Sequence, residues 1–422
     1  MKMPLTVAFF SWEYPPHIVG GLARHVAELS ESLANEGVRV HVFTVGELNE
    51  IEVMASGVIV HRVKPLVSKA SFYDWVCSLN VAMMQAFQEI YETVHFDLLH
   101  AHDWLTEAVC SVLQKTYDVP LVTTIHSLEL GRQGEISTEL QRAIHEKEVS
   151  LIRNSEAVIV CSEFMKDEVN LHFETPRKPT VLPNGVRATE WPVPTSLSFL
   201  SDVGISTGAN IVFSMGRMVP EKGFLTLIEA AELLKNEGIQ FIIAGTGPCL
   251  QAYRDEVAKR KLHHCVHFIG QVDDYLRTLW MEVAFCCAFP STYEPFGIVA
   301  LESMVQGCPT IVSKTGGLKA IVQHKKSGWH VEGNEADVWA TTIREVFRNQ
   351  DATRHIAQEG QRIAQTLYQW NRIAKQTEML YEEVLYERIT AEETSSHIVS
   401  VQECAHKVGD KRKTIKTEGV LS

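Results

Sequence analysis

The sequence has no stretch of roughly 20 consecutive apolar residues, so no helix long enough for a bilayer can be drawn along it. Basic residues are in short supply: 39 Lys and Arg stand against 52 Asp and Glu, a formal net charge of −13. A chain that neutralises a phosphate polymer normally carries the opposite balance, which sets nucleic acid aside as a partner. Paired cysteines are missing too. The nine Cys form an odd set with no C-x-x-C pair, and most lie in apolar runs such as Ala284-Phe-Cys286-Cys287-Ala-Phe289. Buried free thiols in a reducing compartment are the expectation. The apolar run Leu5–Phe10 is shorter than a signal h-region and is followed by Trp12, Glu13 and two prolines. A cytoplasmic protein is therefore expected. No short fixed-period repeat is visible.

What is present is ample core material. With 422 residues, 45% hydrophobic and 22% charged, the chain suits about two or three soluble domains. Short apolar runs alternate with helical spacing. Leu5–Phe10, Val38–Phe43, Leu98–His100, Leu121–Ile125 and Ala157–Val160 read as buried strands. Leu22, Val26, Leu29 and Leu33 mark a helix after Gly20-Gly21. Prolines and polar residues break the rhythm over Pro183–Ser201. It then restarts with strands at Ile211–Met215, Phe241–Ala244, Val266–Ile269, Val283–Ala288 and Thr310–Val312. Strand–helix alternation predicts two tandem α/β domains with doubly wound parallel sheets, 1–190 and 205–371. Such sheets bind ligands beyond the carboxyl ends of their strands, so two facing sheets would make a cleft. A helix is expected over Ile373–Val384, and residues 389–422 read as a flexible polar tail.

Several segments carry chemistry. Gly20-Gly21 opens the first helix, where backbone amides suit an anion; a simple tight turn explains the pair equally well. Arg217 and Lys222 stand five apart in a strand–loop–helix transition, fitting a diphosphate or a solvated basic loop. Gly245-Thr-Gly247 begins like a dinucleotide fingerprint, but Leu250 holds the third glycine position; a nucleotide-lining turn remains open. In Pro290-Ser-Thr-Tyr-Glu294-Pro-Phe-Gly297-Ile298-Val299-Ala-Leu-Glu302, one carboxylate belongs to a loop and one to the helix after it. Together they can bracket hydroxyls, although helix-dipole stabilisation would explain either alone. His100-Ala-His102-Asp103 ends one strand and His126 another. The two H-x-H rings share a side, yet the sequence shows no further ligand set, so no metal is expected.

Together these motifs resemble the retaining glycosyltransferases of family 4, with the GT-B architecture of two Rossmann-like domains. The resemblance runs through nearly all of residues 5–388. Its most specific element is E-x(7)-E, Glu294 and Glu302. Arg217 with Lys222 and Pro183-Asn184-Gly185-Val186 support it. Gly20-Gly21-Leu22, His102-Asp103-Trp104, Thr124-Ile125-His126 and Thr315-Gly316-Gly317-Leu318 resemble the glycogen and starch synthase branch. His17-Ile-Val-Gly20 replaces that branch's Lys-Thr-Gly, and the chain is shorter.

The resemblance implies a nucleotide-sugar donor, ADP- or UDP-glucose, and an α-glucan or other glucosyl acceptor, with no cofactor and no metal. It implies that Arg217 and Lys222 hold the diphosphate, assisted by amides of Gly20, Gly21, Gly297, Ile298 and Val299, with Gly245 and Gly247 lining the nucleotide. Glu294 would meet the sugar, Glu302 the ribose and His126 the reacting carbon, with Asp103 toward the acceptor. The helix over 372–388 would return to the first domain. Val45–Asp74 and Leu128–Ser137 are the loops expected to select the acceptor. Alternative acceptors are a cell-wall or exopolysaccharide intermediate, sucrose or glucose 1-phosphate. The non-enzyme alternative is a binding or coat protein on an inactive copy of the scaffold.

Overall fold

The computed structural model describes residues 4–67, 71–175, 177–187 and 197–391. The chain divides into two compact units, Met1–Gln376 and Thr377–Ser422. Both sheets lie in the first. The described part of the second continues a helix over 370–391, which contains the helix expected at Ile373–Val384. The expected tail lies outside the described residues from 392 on, as does most of the expected linker, 188–196.

The first sheet comprises β1 (Thr6–Phe10), β2 (Arg39–Val45), β3 (Glu50–Val53), β4 (Ile59–Val63), β5 (Leu98–His102), β6 (Leu121–Ile125), β7 (Ala157–Val160) and β8 (Thr180–Val181). Their order is β3-β4-β2-β1-β5-β6-β7-β8, parallel except where β3 pairs antiparallel with β4. The second sheet comprises β9 (Asn210–Met215), β10 (Ile239–Ala244), β11 (Val266–Gly270), β12 (Cys286–Phe289), β13 (Thr310–Ser313) and β14 (Trp329–Val331). Its order is β11-β10-β9-β12-β13-β14, parallel throughout. Every residue of β1, β5, β6 and β7 is buried. Helices cover both faces of such a sheet, which is why these strands read as unbroken apolar runs.

Each sheet reverses its winding beside its own first strand, between β1 and β5 and between β9 and β12. Doubly wound sheets open a crevice at such reversals, at the carboxyl ends of the strands. The loops that enter those crevices are Ser11–Gly20 and Asp103 in one sheet, and Gly216–Gly223 and Pro290–Gly297 in the other. The helix Gly21–Asn35 buries Leu22, Val26, Leu29 and Leu33, as its spacing predicts, and stops before Gly37, whose φ is +101°.

Two expectations need correction. The strand placed at Val283–Ala288 begins at Cys286, because the helix Asp274–Val283 retains the first part of that apolar run. The segment Val45–Asp74 is largely a sheet edge, carrying β3 and β4, rather than a loop. Its strands escape pattern reading because β4 buries polar side chains. His61 accepts or donates at 2.9 Å with His41, and Arg62 donates to Glu52 and to the Pro15 carbonyl.

Candidate active site

At the reversal of the second sheet, β9 runs into Gly216 and Arg217. A single 3-10 turn then presents Lys222, and Gly223, at φ +68°, starts the helix Phe224–Leu234. A Cβ on Gly223 would overlap the Pro290 carbonyl, so this glycine lets the two loops touch. The contact carries Lys222 to Glu294: Nζ lies 2.6 Å from Oε2, and Ser291 Oγ donates to the same oxygen at 3.2 Å. Glu294 is 8% exposed. Arg217 is exposed, and no carboxylate among the described residues pairs with it. A cation and a carboxylate that are distant in sequence thus share one corner of the crevice, and Arg217 belongs to the same loop as Lys222.

Gly297 caps the helix Ile298–Val305, whose opening residues include Ile298 and Val299. Glu302 lies further along, its Oε1 3.3 Å from Arg277 and 3.8 Å from Arg24. Gly245 and Gly247 pack against the Arg217 loop. The space above them is filled by backbone: a Cβ at Gly245 would overlap the Gly216 carbonyl, and one at Gly247 would lie 2.6 Å from the Met218 carbonyl oxygen. Met218 N–H donates to the Thr246 carbonyl between them. These two glycines hold the Arg217 loop in place.

The other side of the crevice is built at the ends of β1, β5 and β6. Asp103 follows β5 with φ 61° and ψ 171°, a region rarely occupied by a residue with a side chain. Its Oδ1 accepts from the His126 N–H at 2.7 Å. Burial pushes the Asp103 carboxyl up to about 6, against the opposing pull of the His126 amide and Arg132. His126 sits just past β6, its Nε2 3.2 Å from His102 Nδ1, and burial pushes its imidazole down to about 3. His100 and His102 do share a side, with rings 4.3 Å apart, and His100 Nε2 is satisfied by Thr124 Oγ1 at 2.7 Å. A third ring joins His102 and His126. His25, from the first helix, centres 4.5 Å from His126 and is fixed through Nδ1 by Asn184 Oδ1 at 2.6 Å.

The Gly20 amide is already engaged. Glu13 Oε2 accepts from Val19 N–H at 2.6 Å and Gly20 N–H at 3.0 Å, while burial raises the Glu13 carboxyl above its ordinary value. Gly21 faces the opposite lobe, where a Cβ would lie 2.9 Å from Ile298 Cδ1. Here the starts of two helices, Gly21–Asn35 and Ile298–Val305, meet across the crevice. Arg24 strengthens the crossing, its Nη2 2.6 Å from Asp274. Ser162 Oγ donates to the Pro295 carbonyl at 2.6 Å, and Val186 N–H to the Tyr368 carbonyl at 2.7 Å.

Sequence reasoning missed Glu13, Arg24, His25, Asp274 and Arg277. For Arg24 and His25 a signal existed. Basic side chains in the opening turns of a helix oppose its dipole, which asks for a compensating partner. Nothing local marks Glu13 as a loop-holding carboxylate, because its partners lie across a turn.

Comparison with known proteins covers both lobes. The family described as "Glycosyltransferase Family 4" matches residues 19–190, and that described as "Glycosyl transferases group 1" matches 199–363. An uncharacterized glycosyltransferase, MJ1607 of Methanocaldococcus jannaschii, is 34% identical over 385 residues, covering 89% of this chain and 98% of the relative. A glycogen synthase of Mycobacterium tuberculosis is 30% identical over 400 residues, covering 89% and 94%. Among solved structures, a sucrose-phosphate synthase from Thermosynechococcus elongatus superposes with a TM-score of 0.80 at 24% identity, covering 91% of this chain and all of that one.

Proposed function

The chain belongs to the family 4 glycosyltransferases with the GT-B fold, and from that membership we propose that it moves a glucosyl unit from ADP- or UDP-glucose to an α-glucan or another glucosyl acceptor, with retention at the anomeric carbon. The observation that carries the reading is the corner where Lys222 meets Glu294, on the loop that also bears Arg217. In the transfer, the bond from the anomeric carbon to the phosphate oxygen breaks and a bond to the acceptor oxygen forms on the same face. The acceptor's hydroxyl proton passes to the departing phosphate oxygen.

Negative charge grows on that phosphate as the bond breaks. Fixed positive groups aimed there stabilise the transition state more than the ground state. Lys222 and Arg217 fill that role without a catalytic metal, together with the amides at the start of the helix Ile298–Val305. Lys222 is held by Glu294 before the donor arrives. The diphosphate takes over the lysine and leaves the Glu294 carboxylate to accept from the sugar hydroxyls. Glu302, held by Arg277, is the carboxylate for the ribose. Gly21, next to Ile298, supports the same diphosphate from the other lobe. The half-buried, neutral His126 approaches the anomeric carbon without bringing a competing charge, and Asp103 orients it through its backbone amide. The glucosyl class draws its support from the mycobacterial glycogen synthase.

The test is a screen of ADP-, UDP- and GDP-glucose against glucan, glucose 1-phosphate and sucrose acceptors, with released nucleoside diphosphate as readout. Release with a glucan acceptor is expected, along with a drop of about 10²-fold or more for Lys222→Ala, the size seen when a transition-state charge donor is removed. A folded Lys222→Ala variant with full activity would overturn the site. No release from any donor, and no thermal shift with any nucleoside diphosphate, would favour a binding protein on the same scaffold.

A further inference from the structure

The ring cluster His25, His102 and His126 has a property that sugar transfer does not use. One ligand nitrogen from each ring lies within 4.8 Å of the others, and no carboxylate belongs to the set. His102 Nδ1 and His126 Nε2 are 3.2 Å apart. Two nitrogens on one tetrahedral ion, with bonds of about 2.0–2.1 Å, stand at nearly that separation, roughly 3.3–3.4 Å. His25 is prepared for the same ion. The Asn184 amide oxygen can only accept, so the 2.6 Å contact places the His25 proton on Nδ1 and leaves the lone pair on Nε2. That Nε2 is buried without a hydrogen-bond partner, and the residue is 3% exposed. A ring whose far nitrogen donates to an amide or carboxylate oxygen, presenting its other nitrogen inward, is the arrangement that orients metal ligands. His126 alone of the three is partly exposed, which gives an ion an entrance.

We propose that His25, His102 and His126 form a binding site for one zinc-class divalent ion, with Asn184 as its orienting partner, and that the ion inhibits. Three imidazoles select zinc, copper, nickel or cobalt over magnesium, which prefers oxygen ligands. Each neutral ring keeps its single proton. Binding requires one tautomer change within the His102–His126 pair, no net proton release, and a closing of the three nitrogens from within 4.8 Å of one another to about 3.3–3.4 Å. An ion seated there takes His126 away from the sugar; the inhibitory part of the proposal rests on the transfer reading, whereas the binding part does not.

The test uses the full-length protein, stripped with a chelator and free of substrates. Cobalt(II) is titrated and its visible tetrahedral ligand-field bands recorded, and zinc stoichiometry is measured against a chromophoric chelator. One ion per chain is expected, together with loss of the bands in His25→Gln and in His102→Gln. Asn184→Ala should weaken affinity by about 10–100-fold, the size of a lost second partner. Magnesium should not compete. Circular dichroism and melting of each variant identify any loss that comes from unfolding, and the Asn184→Ala arm leaves all three rings in place. Cobalt bands that persist in the His25→Gln, His102→Gln double variant, or a strong thiolate charge-transfer band pointing to a cysteine such as the exposed Cys77, would overturn the site. Absence of saturable binding would overturn it equally, and would leave the transferase reading untouched. If transfer is observed, zinc should suppress it and a chelator restore it; zinc bound at the three rings with unchanged turnover would overturn the inhibitory role alone.

Discussion

Glu148 shows how one side chain can set a pH limit. It lies 1% exposed behind the His126 loop, with Oε1 accepting from Glu129 N–H at 2.8 Å and Oε2 without a hydrogen-bond partner. Burial pushes its carboxyl up to about 8 from an ordinary 4.5, more than the Glu129 amide and Arg132 pull it down. A carboxyl raised on folding binds more protons in the native state than in the unfolded one. Its contribution to stability is therefore complete below about pH 4.5 and is lost as pH rises through about 8. Glu148→Gln mimics the protonated acid, so its melting temperature should gain on the wild type by several degrees between pH 5 and 8.5. A gap that does not change with pH would refute this. A second prediction concerns Gly316, at φ +48°, where a Cβ would overlap the Glu294 carbonyl. Gly316→Ala should displace the Glu294 loop, cost about 1–2 kcal/mol or more in urea unfolding, and reduce transfer at least as much as stability. Glu294, Lys222, Arg217 and Glu302 were legible in the sequence because each sits at a fixed offset from a glycine or proline in a strand–loop–helix transition. The partners of Glu302 were not. Arg24 is far away in the sequence, and only the facing of the two lobes joins them.

At the scale of elements, strands buried on both faces announced themselves as apolar runs, and the Gly21–Asn35 helix by its spacing. The hairpin of β3 and β4 did not. β3 is mostly exposed, and β4 buries His61 and Arg62 through pairing that a periodicity count cannot see. The boundary at β12 was blurred because a helix end and a strand share one continuous apolar stretch. The hairpin also has a mechanical role. Arg62 ties it to the Pro15 carbonyl in the loop that Glu13 braces before the first helix. Arg62→Met should leave the fold intact but lower stability by about 1–3 kcal/mol, through an unpaired carbonyl and a lost ion pair. Amide exchange should accelerate across Glu50–Val63 and in residues 13–20. Acceleration confined to the hairpin would show that the two segments are not coupled.

For the molecule as a whole, the proposed transfer asks an acidic chain to accept an anionic donor, and Arg217, Lys222 and two helix starts are the positive groups proposed to meet it. Attraction between an exposed arginine and a diphosphate is screened over about 8–10 Å at physiological salt. Raising sodium chloride from 20 to roughly 300 mM, about a fourfold shorter Debye length, should therefore raise the donor KM several-fold while kcat moves little. A salt-independent KM would exclude Arg217 from donor capture. The way this crevice is walled has a practical consequence. Gly223, Gly245, Gly247 and Gly316 let main chain press on main chain around the Arg217 and Glu294 loops. Libraries that randomise these positions to retool the enzyme for another donor would mostly return insoluble clones. Retooling the donor seat therefore starts from the side chains around the crevice, not from the glycines that set its main chain.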